Sequence, residues 1–156
     1  AIPWLIAALS GIIAGGWLVD FFIGKGYAPN KVYKGIIIIG MTVGLTFLAS
    51  IFTKDPILSM LFISIGLAGI SATAPVGWTI AAKLSPPGTT AVLSSMVNFS
   101  NNLFGGIIAT FLTGYIVDKT GSFNIAFVLA AAVLVIGLLF YTVVLGKIEQ
   151  IPIERQ

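Results

Sequence analysis

Long apolar stretches alternate with short polar ones along the whole chain. The apolar stretches run from about Ile2 to Ile23, Gly35 to Phe52, Pro56 to Ala82, Thr90 to Val117 and Asn124 to Leu145. Each holds at least about 18 residues, enough for a tilted helix to cross about 30 Å of hydrocarbon. The breaks read "GKGYAPNKVYK", "TKDP", "KLSPPGT" and "DKTGSF", combining turn-forming Gly, Pro, Asn and Asp with most of the lysines. This pattern predicts an all-α integral membrane protein, with five transmembrane helices within residues 1–146 and a tail over 147–156. Helices are required because lipid offers no partner for the edge of an open sheet.

Composition narrows the chemistry. Hydrophobic residues make up 58% of the chain and charged ones 8%, with a mean hydropathy of +1.09, far from what a domain in water needs. The chain has no cysteine and no histidine. That removes disulfides, thiol nucleophiles, the usual general base and the usual metal ligands. No catalytic constellation remains, so no enzyme activity, cofactor or metal is expected. Nor is a nucleic-acid partner; the partner implied is the lipid bilayer. The opening "AIPWLIAALSG" lacks an initiator methionine and a basic leader, so it reads as the middle of a longer protein rather than a signal peptide.

The basic residues suggest an orientation. Lys25, Lys31, Lys34, Lys83, Lys147 and Arg155 fall on one side of this topology, and Lys54 and Lys119 on the other. Six against two places the first loop and the C-terminal tail in the cytoplasm. "GGWLVD" (Gly15–Asp20) and "TGYIVD" (Thr113–Asp118) share a Gly-aromatic-aliphatic-Val-Asp order. They end spans of opposite direction, as inverted repeats of three helices would.

The fourth span breaks the apolar pattern with "SSMVNFSNNLFGG", Ser94 to Gly106. At about 100° per residue, Ser94, Asn98, Asn101, Asn102 and Gly105 fall within an arc of about 100°. Ser100 points away, where its hydroxyl can bond back to the preceding turn. The stripe is either interhelical glue, at about 0.6–2 kcal/mol per amide, or one wall of a wet solute cavity, with Asn98 near its centre. In the third span, "SATAPVGWTI" places Ser71, Pro75 and Trp78 on one face with Thr79 beside them. Pro75 lacks an amide hydrogen, which predicts a kinked helix with the Ser71 carbonyl freed. Trp78 is then either a stacking surface for a sugar-like ligand or an interfacial anchor.

Gly11-x-x-x-Gly15 and Gly40-x-x-x-Gly44 have the spacing that lets helices approach closely, and packing is the expected role. No ionisable residue lies near the centre of any span. An ion-coupled transporter normally keeps one there, so either coupling is absent or its residues lie in another part of the protein.

Together "GGWLVDFFIGKGYAPNKVYK" and the continuous run from "APVGWTIAAKLSPPG" to "LGKIEQI" resemble the C-terminal part of a major facilitator superfamily transporter. The nearest likeness is to the anion:cation symporters, particularly bacterial sugar-acid transporters (hexonate, hexuronate and glucarate/galactarate). It covers nearly the whole chain as helices eight to twelve of twelve, most of a six-helix half. The resemblance implies proton-coupled import of a small organic anion by alternating access, in the plasma membrane. It also implies a missing N-terminal half that carries the charged residues. Trp78 and Asn98 would line the substrate site, with Ser71, Thr79 and Asn102 as neighbours. Gly16 to Lys25 is similar to the cytoplasmic loop signature Gly-x-x-x-Asp-Arg-x-Gly-Arg, in which Asp20 would help latch the gate. Phe21 stands where that signature is basic, and one residue is added before Gly24. The alternatives are a facilitator of a neutral sugar or drug, and a small membrane subunit whose amide stripe binds a partner helix.

Overall fold

A computed structural model describes residues 2–149. Among them there is helix and turn but no strand, as the apolar pattern requires. Four helices are long and apolar enough to cross a membrane: Pro3–Gly24, Pro29–Phe52, Pro56–Leu84 and Asn124–Val144. A further uninterrupted helical run occupies 90–120, and its serines and asparagines keep it out of that apolar set. In chain order these are the first, second, third, last and fourth helices, respectively. Of the 147–156 tail, residues 150–156 lie outside the described residues, and with them Arg155.

Local chemistry sets the helix ends. The second helix starts at Pro29, six residues before the expected Gly35, because extended Ala28 precedes a proline in the first turn, where a missing amide hydrogen costs nothing. Asp55 starts the third helix: its Oδ1 accepts from the Ile57 N–H at 2.8 Å and the Leu58 N–H at 3.4 Å, an acidic N-cap followed by Pro56. Gly121 ends the fourth helix with φ of 66°, a left-handed conformation that favours glycine.

The structure divides into two compact units. The first contains the chain through Gly77 with Phe127–Lys147, and the second contains Trp78–Ala126. In the first unit the second helix supplies a long buried face, with Val32, Tyr33, Ile36, Ile37, Gly40 and Gly44 at helical spacing. Glycine-lined crossings hold the third helix there. A Cβ on Gly69 would lie 2.6 Å from the Gly40 carbonyl oxygen and 2.7 Å from the Gly44 nitrogen. One on Gly66 would lie 2.8 Å from the Gly44 carbonyl oxygen. The backbones touch, as small-residue spacing in a membrane allows.

Gly11 and Gly15 of the first helix meet the same third helix. A Cβ at Gly15 would sit 2.5 Å from the Pro75 ring, and one at Gly11 3.2 Å from the Ser71 carbonyl oxygen. The first helix winds as a π-helix over Ile13–Leu18, the wider turn that brackets Gly15. The packing role expected for both Gly-x-x-x-Gly pairs is thus realised. The outside remains apolar. Val128, Val133, Ile136, Phe140, Val143 and Val144 of the last helix are all exposed, a surface suited to lipid rather than water. This is a multi-pass membrane protein.

Candidate amide site and first loop

The amides of the fourth helix form a bonded pair. Asn102 Nδ2 donates to the Asn98 carbonyl oxygen at 2.9 Å and to Asn98 Oδ1 at 2.5 Å. One turn of α-helix between them makes this geometry possible. By inventory, Asn98 keeps its own Nδ2 donors and Asn102 its Oδ1 acceptor for other partners. Asn98, Asn101 and Asn102 are all exposed within their unit. An exposed donor–acceptor pair on a helix of this kind can bind a hydroxyl or a carboxylate oxygen.

The angular count behind the stripe holds only as far as Ser100. From Asn101 to Ile108 the helix is π-wound, and the Ala109 N–H bonds five residues back to Phe104. Each π turn holds more residues than an α turn, so Gly105 and Gly106 do not follow the 100° count. Nothing lies within 4 Å of a Cβ at either glycine. In the serine-rich stretch the Ser95 hydroxyl bonds back to the Ala91 carbonyl at 2.8 Å; Ser100 joins Ser95, Met96 and Phe99 in the lining of an open groove of about 670 Å³. None of the three asparagines lines that groove.

The third helix runs as α-helix from Pro56 to Leu84 with Pro75 inside. The Ser71 carbonyl, which loses its partner to Pro75, lies against Gly11 in a packing contact. Half-buried Ser71 and Pro75 belong to the first unit, whereas Trp78, 38% exposed, and Thr79 belong to the second, with Asn98 and Asn102. Of the five expected substrate residues, the pair joined directly is Asn98 and Asn102.

In the last turns of the first helix, Gly16 and Asp20 are exposed. Lys25 closes that helix, and its Nζ sits 4.2 Å from the centre of the Phe21 ring. The aromatic residue that departs from the loop signature therefore holds the basic one through its π face. Phe21 also stacks on Trp17 at 5.3 Å. Residues 17, 21 and 25 recur every four positions, a signal present in the sequence but not used in reading it. Lys34, read only as a loop charge, donates to the Leu145 carbonyl just past the end of the last helix. A cation there complements the helix dipole, but only the fold brings Leu145 to it.

Comparison with known proteins follows this geometry. No family model matches the chain. It is 58% identical over 98% of its length to the uncharacterized transporter YybO of Bacillus subtilis (strain 168). It is 28% identical over 96% to the D-galactonate transporter of Escherichia coli O6:H1. It is 26% identical over 97% to the probable galactarate/D-glucarate transporter GudP of Bacillus subtilis. The chain spans about a third of the length of these relatives, 35%, 34% and 33% respectively. All three are transporters by name and none is an enzyme. Over nearly its whole length the chain is similar to part of these named transporters, consistent with a C-terminal fragment of a major facilitator superfamily transporter.

Proposed function

We propose that the chain is part of a secondary active transporter that imports a sugar acid by proton symport and alternating access. The observation that carries this reading is the near full-length similarity to transporters named for galactonate and for galactarate/glucarate. The transporter sits in the plasma membrane with its C-terminus in the cytoplasm, as the lysine bias suggests. The present helices supply most of one half, and the remaining polypeptide supplies the other half with its coupling charges.

In this reading Asn98 and Asn102 bind hydroxyls of the sugar acid, the Trp78 indole stacks on its carbon face, and Thr79 adds a hydroxyl. Ser71 acts less directly, through the crossing at Gly11. The role of Pro75 is that of a packed pivot against Gly15. Gly16, Asp20 and Lys25 belong to the cytoplasmic gate, with Lys25 steered by Phe21. The neutral amides suit hydroxyl recognition, while the carboxylate is met by charge elsewhere in the protein.

The test is uptake of labelled galactonate, galactarate, glucarate and glucuronate by the full-length protein in cells, with and without a proton uncoupler. Saturable uptake that collapses with the uncoupler is expected. Asn98→Ala should weaken apparent affinity about tenfold, the scale of one or two lost hydrogen bonds, with unchanged expression. Uptake of neutral sugars alone would move the reading to a facilitator. Equal loss of folded protein in Asn98→Ala would return the amides to a purely structural role.

A further inference from the structure

At the end of the first helix, Trp17, Phe21 and Lys25 stand one turn apart along one line. Trp17 and Phe21 are parallel-stacked at 5.3 Å with an interplanar angle of 23°, and Lys25 Nζ lies 4.2 Å above Phe21. Both rings are exposed, Trp17 at 62% and Phe21 at 40%, and so is Lys25. Phe22 packs edge-on against Tyr27 at 5.6 Å, bracing the turn that follows. At about 1.5 Å per residue the ladder spans about 12 Å. Its apolar end lies inside the membrane-spanning helix, and its cationic end lies where that helix stops.

Charge points to the occupant. Between Phe21 and Lys54 there are three lysines and no acidic residue. One of them, Lys34, is committed to the Leu145 carbonyl, while Lys25 and Lys31 are exposed. Asp20 precedes Lys25 by five residues, about 140° around the helix, on another face. A soluble anion has no use for two exposed rings in line with the cation. A phospholipid uses both, with its acyl chain along Trp17 and Phe21 and its phosphate at Lys25.

We propose that Trp17, Phe21 and Lys25 form a binding site for one anionic phospholipid of the leaflet facing this loop. The Phe21 ring holds the ammonium in place, so that less side-chain freedom is lost when the phosphate arrives. This assignment is independent of the transported solute.

The experiment uses the full-length protein with Trp17 as its only tryptophan within this chain (Trp4→Phe, Trp78→Phe), in phosphatidylcholine vesicles. Brominated phosphatidylglycerol or brominated phosphatidylcholine is added, and quenching of Trp17 is followed. Phosphatidylglycerol should quench at about a fivefold lower mole fraction, the scale of one lysine at an anionic surface. Lys25→Gln should abolish that preference, and Lys54→Gln should leave it intact. Equal quenching by the two lipids, no quenching by either, or a preference surviving Lys25→Gln would overturn the proposal. Native mass spectrometry with all tryptophans retained is the second readout. Fewer retained phosphatidylglycerol molecules in Lys25→Gln support the site, and an unchanged number overturns it.

Discussion

Glycine serves opposite ends in two regions of this molecule. Where the first and second helices cross the third, a Cβ on Gly15, Gly40, Gly44, Gly66 or Gly69 would meet a neighbouring atom under 3 Å away, and one on Gly11 would meet one at 3.2 Å. In the fourth helix, Gly105 and Gly106 have nothing within 4 Å of a Cβ, and they lie in a π-wound stretch beside the amide pair. The first region is held by backbone contact, and the second offers polar groups on an exposed helix. The same residue type marks a tight joint in one place and an open face in the other. Spacing alone does not separate the two cases; the neighbouring atoms do.

The sharpest way to break this contrast is to add one methyl group in each region. Gly69→Ala forces a Cβ against the backbone of the second helix, and the helices must part. We expect a loss of about 3 kcal/mol or more, seen as collapse of the monodisperse peak of the full-length protein in detergent. Gly15→Ala meets Cβ and Cγ of the Pro75 ring instead, both at 2.5 Å. A loss of about 1–3 kcal/mol is expected, and Pro75→Ala in the same protein should recover only part of it, because alanine keeps the Cβ. A thermal-unfolding cycle of the two single variants and the double variant measures that coupling, and additive effects would mean that the ring and the glycine do not interact.

Smaller effects test the edges of the comparison. Lys34→Gln removes a charge-assisted bond to the Leu145 carbonyl and should cost about 1 kcal/mol, since the site is partly wet. Limited proteolysis should then cut after the last helix sooner than in the parent. Gly105→Ala should cost nothing and can gain up to about 1 kcal/mol from helix propensity. A melting temperature that falls by several degrees would show that this face is covered in the full-length protein.

Much of the fold was legible from hydropathy. Membrane class and all-helical structure followed from it, and the described helices lie where the five apolar stretches do. The turn at Gly121 and the polar start at Asp55 were also readable, because capping uses residues within three or four positions. The candidate site was legible only in part. Asn98 and Asn102 could be paired by their spacing, one α turn apart. The stripe beyond Asn101 could not be followed, because the change to π winding alters the rotation per residue. At Pro75 only the missing amide was visible, and it predicts a kink. Its ring packed on Gly15, and the Ser71 carbonyl on Gly11, depend on a helix about sixty positions earlier in the chain.

The sequence by itself determined that the chain lives in lipid, that it is helical, where its turns fall and which polar groups interrupt its apolar runs. Hydrophobicity and capping are properties of neighbouring residues, so neighbouring residues suffice to read them. Only the tertiary structure decided which glycines are joints, that the Pro75 ring packs on Gly15, and that Lys34 closes the end of the last helix. Those outcomes rest on contacts between segments distant along the chain, and close packing admits only the partner whose shape fits.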